Sequence, residues 1–271
     1  MYESYWGLRE KPFQNTPDPR FLYLSSQHEE SLTRLIYTVR ERMGAAMLTG
    51  VFGCGKTVLG QALLDEISTD RYKVAFITNP QVEYVELLRA IVRNLKDIAL
   101  PIKKDELSAD YLLETLNDIL IHNMQDGRDT VIIVDEAHVI RDEKIFEGLR
   151  LLLNFQLRDR FLLTLLLFGQ PELLPMIESN KQLEQRIAMK CHLGSLNEKE
   201  TKEYVLHRLN VAGAQRPIFN DDAFKLIFEH SGGIPRRINK ICDLSLLSGY
   251  GKGVLNVDRH IIEEELASFG S

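Results

Sequence analysis

Residues 50–57 read Gly-Val-Phe-Gly-Cys-Gly-Lys-Thr, which matches the pattern Gly-x-x-x-x-Gly-Lys-Ser/Thr at every fixed position. A short apolar run from Ala45 to Thr49 precedes this stretch, and helical periodicity follows it from Val58 to Ile67. A glycine-rich loop between a strand and a helix turns successive backbone N–H groups inward, where they can surround phosphate oxygens. The stretch therefore predicts a phosphate-binding P-loop in an α/β protein.

Each residue type in this loop suits one part of a nucleoside triphosphate. The glycines let the backbone curve, Lys56 places a positive charge near the β and γ phosphates, and Thr57 offers a hydroxyl to Mg²⁺. The partial positive charge at the start of the following helix adds to the attraction. We therefore predict ATP and Mg²⁺ as cofactors, bound by Gly50, Val51, Phe52, Gly53, Cys54, Gly55, Lys56, Thr57 and Val58.

Further apolar runs alternate with helical patterns after the loop, as they do in a parallel sheet covered by helices. After Gly194 the helical patterns continue without a convincing strand. We therefore predict a nucleotide-binding core over residues 1–194, which includes a proline-rich N-terminal lead, and a helical lid over residues 195–271. The core is expected to be a five-stranded parallel sheet with helices on both faces. The predicted strands are Ala45–Thr49, Val74–Thr78, Val131–Val134, Leu162–Phe168 and Lys190–Leu193.

Composition and charge are those of an ordinary globular protein. The 271 residues carry a formal net charge of -6, which gives no general attraction to nucleic acid. The longest dense apolar run, Phe161–Phe168, is far shorter than the roughly 20 residues that cross a bilayer. The first residues lack the pattern of a secretory signal, and the three scattered cysteines fit a reducing compartment. These features predict a cytoplasmic location.

Two adjacent carboxylates, Asp135 and Glu136, follow the buried run Val131–Val134. In this arrangement, known as Walker B, Asp135 would hold the Mg²⁺ shell and Glu136 would orient or deprotonate the attacking water. Acidic residues also end strands without any catalytic role, but the P-loop in the same chain favours the catalytic interpretation. We therefore predict Thr57 and Asp135 as metal ligands and Glu136 as the catalytic base.

The tetrapeptide Asp135–His138 also occurs in certain helicases, but the remaining helicase motifs are not recognisable. His138 could be suspected as a metal ligand together with Cys191 and His192, yet these three residues lack the spacing of a zinc site. We therefore expect a surface or core role for His138.

Two further positions could sense the nucleotide or complete its site. Gln170 follows a predicted strand and would place an amide near the γ-phosphate, although helix capping explains it equally well. Arg186 precedes the last predicted strand, from where an arginine could reach the nucleotide of a neighbouring subunit and stabilise the transition state. An exposed arginine paired with Glu184 is the alternative, and Arg158 and Arg160 are rivals for the same role.

Arg236 is a candidate in the C-terminal helices. Gly232 and Gly233 end one predicted helix and Pro235 opens the next, so that Arg236 lies in the first turn of that helix. A cation there opposes the helix dipole, which an anionic partner such as ATP would explain. An ordinary solvated arginine is the alternative. We predict that Arg236 senses the γ-phosphate.

Taken together, these residues resemble the ATPase module of the general secretion pathway protein A (ExeA) family within the AAA+ proteins. The resemblance implies the AAA+ fold, an arginine finger at Arg186, a second sensor at Arg236 and a lead that helps to enclose the adenine. At Met189–Lys190 the chain departs from the family, where a further arginine is expected. The matching stretches are Tyr5–Phe13, Pro17–Leu24, Gly50–Thr57, Val134–His138, Gly169–Leu173, Gln185–Ile187 and Gly233–Asn239.

The family serves the assembly of secretion or pilus machinery, so the resemblance implies an oligomeric ATPase that acts as an assembly factor or switch. Neighbouring subunits would complete each other's sites, and an unidentified partner protein would supply a link to the inner membrane. The alternative is a DNA-bound regulator similar to transposition ATPases. Its basic surface would draw on Arg34, Arg40, Arg42, Arg158, Arg160, Arg236, Arg237 and Lys240, although solvated scatter also explains these residues.

Overall fold

The computed structural model describes residues 1–67, 70–95 and 108–268. Contacts between residues divide the chain into two compact units. We call Glu29–Gly50 together with Ala62–Leu193 the sheet unit, and Met1–His28 with Val51–Gln61 and Gly194–Ser271 the helical unit. The predicted lid therefore shares its unit with the N-terminal lead and with the P-loop.

Five parallel strands form the centre of the sheet unit. They are β1 (Ala45–Gly50), β2 (Tyr72–Ile77), β3 (Asp129–Val134), β4 (Leu163–Gly169) and β5 (Ile187–Leu193). Their order across the sheet is β2-β3-β4-β1-β5, and every neighbouring pair is parallel. The predicted five-stranded parallel sheet is confirmed, although β5 begins earlier than the predicted strand.

Both faces of the central strands are buried. Ile132 and Leu165 belong to a core shared with neighbouring helices, and the next residues along the same strands, Ile133 and Leu166, are equally inaccessible on the other face. Successive side chains of a strand point to opposite faces, so a strand covered on both sides is apolar at nearly every position. The edge strand β5 instead alternates between buried and more exposed residues.

Twelve α-helices occur in the described residues, and none of them is both long and apolar enough to cross a membrane. Local chemistry fixes several of their starts: Ser108 caps the helix that follows it, and Asn197 and Glu200 form a capping box. The helices are α1 (Glu3–Trp6), α2 (Ser26–Arg40), α3 (Lys56–Glu66), α4 (Tyr84–Leu95), α5 (Ala109–Gln125), α6 (Glu143–Leu152), α7 (Leu173–Ser179), α8 (Lys181–Glu184), α9 (Glu198–Val211), α10 (Asp221–Ser231), α11 (Pro235–Lys252) and α12 (Arg259–Ser268).

The N-terminal lead packs on the C-terminal helices within the helical unit. Trp6 is almost fully buried, and its indole N–H donates a hydrogen bond to the carbonyl of Leu246 at 3.0 Å. Arg208 of α9 donates to the carbonyls of Pro12 at 2.6 Å and Gln14 at 2.9 Å. The sequence analysis groups the lead with the nucleotide-binding core, whereas these partners lie in the predicted lid. The difference arises because the lead's aromatic rings and carbonyls find their partners far along the chain.

Two adjacent glycines connect α10 to α11. Gly232 and Gly233 have φ values of 60° and 71°, in the left-handed region. A Cβ atom on Gly233 would lie 1.8 Å from the carbonyl oxygen of Leu196, whereas a Cβ atom on Gly232 would meet nothing within 4 Å. Gly233 also accepts a hydrogen bond from the Leu196 N–H at 2.9 Å. Gly233 is thus required by a close backbone approach as well as by its conformation.

Gly233→Ala should therefore destabilise the protein more than Gly232→Ala does. Both substitutions place alanine in a left-handed conformation, at a cost of about 1–2 kcal/mol. Only Gly233→Ala also forces the backbone of Leu196 away, which we expect to at least double the loss. Thermal unfolding of the two variants measures the difference, and equal losses would contradict the close approach.

Candidate functional site

The glycine-rich loop lies between the end of β1 and the start of α3. Gly53 and Gly55 have φ values of 84° and 105°, which glycine adopts without strain. The Cys54 N–H donates to the Val51 carbonyl at 3.3 Å, and the Leu59 N–H donates to the Gly55 carbonyl at 2.9 Å. The loop therefore turns sharply and leads directly into a helix N-terminus, where the first N–H groups have no acceptor within the helix.

Lys56 is held against this loop by the loop's own backbone. The residue is buried, and its Nζ donates a hydrogen bond to the Val51 carbonyl at 3.2 Å. A buried ammonium group needs acceptors in place of the water it has lost. The loop carbonyl supplies one and keeps the positive charge beside the glycines.

His28 also contacts the loop, and the sequence analysis did not identify it. The side chain is buried, with Nδ1 2.7 Å from the Ser25 hydroxyl and Nε2 3.0 Å from the Cys54 carbonyl. A carbonyl can only accept, so Nε2 carries the proton and Nδ1 accepts from Ser25. Burial lowers the pKa of His28, although the Cys54 hydrogen bond and the charge of Glu200 oppose this shift. His28 is therefore a neutral donor to the P-loop.

Arg236 lies beside the P-loop through both its backbone and its side chain. Its N–H donates to the Gly53 carbonyl at 3.2 Å, and its guanidinium lies 4.4 Å from the centre of the Phe52 ring. Phe52 is 56% exposed, so this cation–π contact is open to solvent and weak, at about 0.5–1 kcal/mol. The structure brings Arg236 to the loop, and its role as a sensor stays a prediction.

A buried polar network connects the helix of Arg236 to the lead. The Asn239 amide donates to the Asn15 side chain at 2.9 Å and accepts from the Tyr204 hydroxyl at 2.8 Å. That hydroxyl in turn accepts from Arg208 at 2.8 Å. Asn239 lies one turn after Arg236 in α11, so the network fixes this helix against the lead. Local sequence patterns do not identify this network, because most of its partners lie more than 30 residues apart in the chain. The exception is the pair of Tyr204 and Arg208, which are four residues apart.

Asp135 and Glu136 follow β3 directly. Asp135 is buried, its N–H donates to the Ile77 carbonyl at 2.8 Å, and its Oδ1 accepts from the Glu136 N–H at 2.8 Å. Glu136 has a φ of 54°, a left-handed conformation that is unfavourable for a residue with a side chain. Such strain persists only where the surrounding structure imposes it, and it is common at functional sites.

His138 lies between Glu136 and the backbone of Gln170. Its Nδ1 is 3.3 Å from Glu136 Oε2 and also 3.3 Å from the Gln170 nitrogen, whose N–H it accepts. One nitrogen cannot serve both partners, because an accepting Nδ1 has no proton to donate. In that state the buried Oε2 of Glu136 receives no hydrogen bond from the described residues.

Gln170 takes part in this contact through its backbone rather than its side chain. Its N–H follows β4, and β4 is the neighbour of β3, so the ends of the two strands bring His138 and Gln170 together. The sequence analysis placed Gln170 at this edge of the sheet for its amide group. That side-chain role stays a prediction, and the contact through His138 is an addition that no local pattern indicates.

Arg186 immediately precedes β5, and its guanidinium donates to the Asn154 side chain at 3.4 Å. Glu184, its partner in the alternative interpretation, instead accepts from Lys181 at 3.0 Å and Lys190 at 2.8 Å. β5 runs parallel to β1, and Arg186 comes just before β5. Arg186 therefore lies where the parallel strands begin, whereas the P-loop follows the point where β1 ends. Its guanidinium is thus remote from the end of β1 that leads into the P-loop.

The rival arginines lie at the same edge as Arg186. Arg158 and Arg160 are exposed in the turn before β4, which is also parallel to β1. Arg160 forms an ion pair with Asp159 at 3.1 Å, whereas Arg158 and Arg186 form none with any residue that the structure describes. Arg158 and Arg186 are therefore the two candidates whose charge is not balanced by a carboxylate in contact.

One stretch of the chain, residues 39–177, contains both the P-loop and the carboxylate pair after β3, and it matches the family described as AAA domain. The chain belongs to this family. General secretion pathway protein A of Aeromonas hydrophila is 38% identical over 256 residues, which is 93% of this chain and 46% of that protein. An uncharacterised HTH-type transcriptional regulator of Methanocaldococcus jannaschii is 26% identical over 145 residues, or 52% of this chain and 35% of that protein. The resemblance to the general secretion pathway protein A family is confirmed, and the chain spans less than half the length of both relatives.

Solved structures share the fold at low sequence identity. The ORC2 protein of Aeropyrum pernix, in its ADPNP-ADP complexes, has a TM-score of 0.72 at 19% identity and covers 95% of this chain and 71% of its own. The RuvB Holliday junction branch migration motor of Thermotoga maritima has a TM-score of 0.62 at 17% identity. This similarity covers 90% of the present chain and 69% of the RuvB chain. These similarities confirm the predicted AAA+ fold class.

The stability that His28 contributes should fall as the solution becomes acidic. The pKa of His28 is lowered in the folded state, so below about pH 6.5 the unfolded chain binds a proton that the native chain does not. Stability is then fully present above this pH and is lost as the pH falls below it. Thermal midpoints should decrease more steeply for the natural protein than for His28→Gln between about pH 7.5 and about pH 5.5.

His230→Gln is the matched control, because His230 is exposed within the same unit. This variant should follow the pH dependence of the natural protein. Parallel curves for the natural protein and His28→Gln would show that the contact between His28 and the loop does not depend on a neutral ring.

Proposed function

We propose that this protein binds and hydrolyses ATP and acts as an oligomer whose subunits complete each other's sites. The observation that carries the proposal is the P-loop. Gly53 and Gly55 have positive φ values, Lys56 donates a hydrogen bond to the loop backbone, and the loop leads into a helix N-terminus. Such a loop offers backbone donors and positive charge to phosphates. A Cβ atom on Gly53 would lie 2.7 Å from the Arg236 Cβ, so only glycine fits at this point.

The oxygen ligands that Mg²⁺ prefers are present at both motifs. The Thr57 hydroxyl at the start of α3 and the Asp135 carboxylate after β3 would hold the ion, which would neutralise charge on the phosphates. The hydrogen bond from the Glu136 N–H orients the Asp135 carboxylate within the protein itself. Each of these two residue types, threonine and aspartate, therefore suits a ligand of Mg²⁺.

Glu136 has the properties that the hydrolytic step requires of a base. Its carboxylate can orient a water molecule and accept its proton, while the loop and Lys56 stabilise charge on the phosphates. Glu136 directly follows Asp135 after β3, which places the proposed base next to the proposed metal ligand in the chain. The strained backbone of Glu136 also supports a functional interpretation.

The position of Arg186 supports a site that two subunits share. The seven residues of β5 span about 23 Å, so an arginine before this strand is remote from the end of β1 in its own chain. A neighbouring subunit's nucleotide is then the target that a finger at Arg186 could reach. We propose Arg186 as the finger and Arg236 as the second sensor, with the lead helping to enclose the adenine.

The biological role that we propose is an assembly factor or switch for secretion, pilus or other envelope machinery. The support is the 38% identity to a protein named for the general secretion pathway. We expect a cytoplasmic location with recruitment to the inner membrane by a partner protein. The DNA-bound alternative is second, because three of its arginines already pair with carboxylates: Arg34 with Glu30, Arg42 with Asp129 and Arg160 with Asp159.

Glu136→Gln should abolish most hydrolysis while ATP binding is retained. The amide keeps the shape of the side chain but cannot take up a proton, so kcat should fall by about 100-fold or more. Nucleotide affinity by calorimetry should stay within about threefold of the natural value. Glu143→Gln, which changes an exposed carboxylate at the start of α6, is the control and should leave both values unchanged. Normal hydrolysis by Glu136→Gln would exclude Glu136 as the base.

A mixing experiment tests whether subunits share sites. Lys56→Ala and Arg186→Ala should each be nearly inactive, because one lacks the phosphate lysine and the other the finger. An equal mixture should recover about a quarter of the natural rate by random assembly, since some sites then combine both intact residues. Arg160→Ala serves as the control for a general loss of positive charge at this edge and should retain activity.

The protein concentration provides a second criterion for the same model. The specific ATPase activity of the natural protein should rise with concentration as subunits associate. A flat specific activity, together with no recovery in the mixture, would contradict a shared site. If Arg186→Ala keeps full ATPase activity and Arg158→Ala loses it, Arg158 rather than Arg186 is the arginine finger.

A further inference from the structure

We infer that His28 is a positioning residue for nucleotide binding, acting through the peptide bond between Cys54 and Gly55. The inference rests on the proposed ATP-binding function of the P-loop. It concerns a residue outside every motif in the chain, 22 positions before the loop begins at Gly50.

The first step is the orientation of the imidazole ring. Its two nitrogens are engaged on opposite sides, by the Ser25 hydroxyl at 2.7 Å and by the Cys54 carbonyl at 3.0 Å. Ser25 and His28 are both buried, so no water competes for these bonds. Ser25 donates to Nδ1, which fixes the tautomer with the proton on Nε2 and directs that proton at the loop.

The second step is the peptide plane that this hydrogen bond holds. In a trans peptide the C=O and the following N–H point in opposite directions, and the chain has no cis peptide bond among its described residues. When the Cys54 carbonyl faces His28, the Gly55 N–H must face away from it. A Cβ atom on Gly55 would lie 3.3 Å from Nε2, so the ring packs directly against this part of the loop.

The Gly55 N–H is one of the donors that a phosphate-binding loop presents to its ligand. The bond at the Cys54 carbonyl restrains rotation of this peptide, which matters because glycine on one side of it adopts many conformations. His28 removes that freedom before any phosphate arrives. Fixing a donor in advance lowers the entropic cost of binding and so raises affinity for the phosphate.

The third step is the anchoring of His28 itself. His28 lies in the first turn of α2, and the neighbouring Gln27 side chain accepts a hydrogen bond from the Gly194 N–H at 2.8 Å. The start of the helix is therefore held independently of the loop. Because the start of α2 is held in place, His28 can orient the loop. A histidine on a mobile segment would instead shift together with the loop.

Two variants separate the hydrogen bond from the packing of the ring. His28→Phe fills a similar volume without a donor. His28→Gln places an amide N–H near the position of Nε2 and can still donate to the Cys54 carbonyl. Affinity for ADP with Mg²⁺ by calorimetry, kcat and KM for ATP, and thermal midpoints without nucleotide should be measured for both variants and for the natural protein.

We expect His28→Phe to raise the Kd for ADP and the KM for ATP by about tenfold, with a change in kcat of less than about threefold. His28→Gln should restore both values to within about threefold of the natural ones. A purely structural histidine would alter the midpoint without this separation between KM and kcat. Equal affinities of His28→Phe and the natural protein, or no recovery in His28→Gln, would overturn the inference.

Ser25→Ala gives a second measurement if His28→Phe fails to fold. This variant keeps the imidazole but removes the hydroxyl that orients it, so affinity for ADP should fall by about two- to fivefold. An unchanged affinity would count against the role of His28. The proposed function fails separately: in that case the natural protein itself binds neither ADP nor ATP, whatever the variants do.

Discussion

The loop that leads into α3 keeps, at Gly53 and Gly55, a conformation that glycine alone adopts without strain. The loop here is constrained from three directions. The Cys54 carbonyl accepts from His28, the Gly53 carbonyl accepts from the Arg236 N–H, and the Val51 carbonyl accepts from the Lys56 ammonium. Each of these bonds uses a carbonyl of the loop. The loop is therefore shaped by the bonds that its carbonyls make.

The parallel sheet provides the second constraint, because all its strands end at the same edge. β1 leads into the P-loop, β3 into the carboxylate pair and β4 into Gln170, and these strands are neighbours in the sheet. The His138 side chain and the Gln170 N–H join the ends of β3 and β4. Chemistry at this edge thus depends on strand order, which no single motif specifies.

Among the described residues other than glycine, Arg42 and Glu136 have a left-handed backbone, and Glu136 is the residue to which we assign the base. Its left-handed backbone is bounded by hydrogen bonds on either side, from its own N–H to Asp135 and from the Val139 N–H to its carbonyl at 3.0 Å. These two bonds hold the backbone of Glu136 in this conformation.

Sequence patterns alone predict the P-loop, the carboxylate pair, the parallel sheet and the C-terminal helices. These features follow from patterns among near neighbours: apolar runs, helical periodicity, and glycines where the backbone must turn. Three contacts become visible in the tertiary structure alone. The lead packs with the C-terminal helices, His28 donates to the Cys54 carbonyl, and Arg186 contacts Asn154 rather than Glu184. The residues in these contacts are far apart in the chain, or they have several other possible partners at a similar distance along the chain. Local sequence carries no record of which distant groups meet, so packing alone decides them.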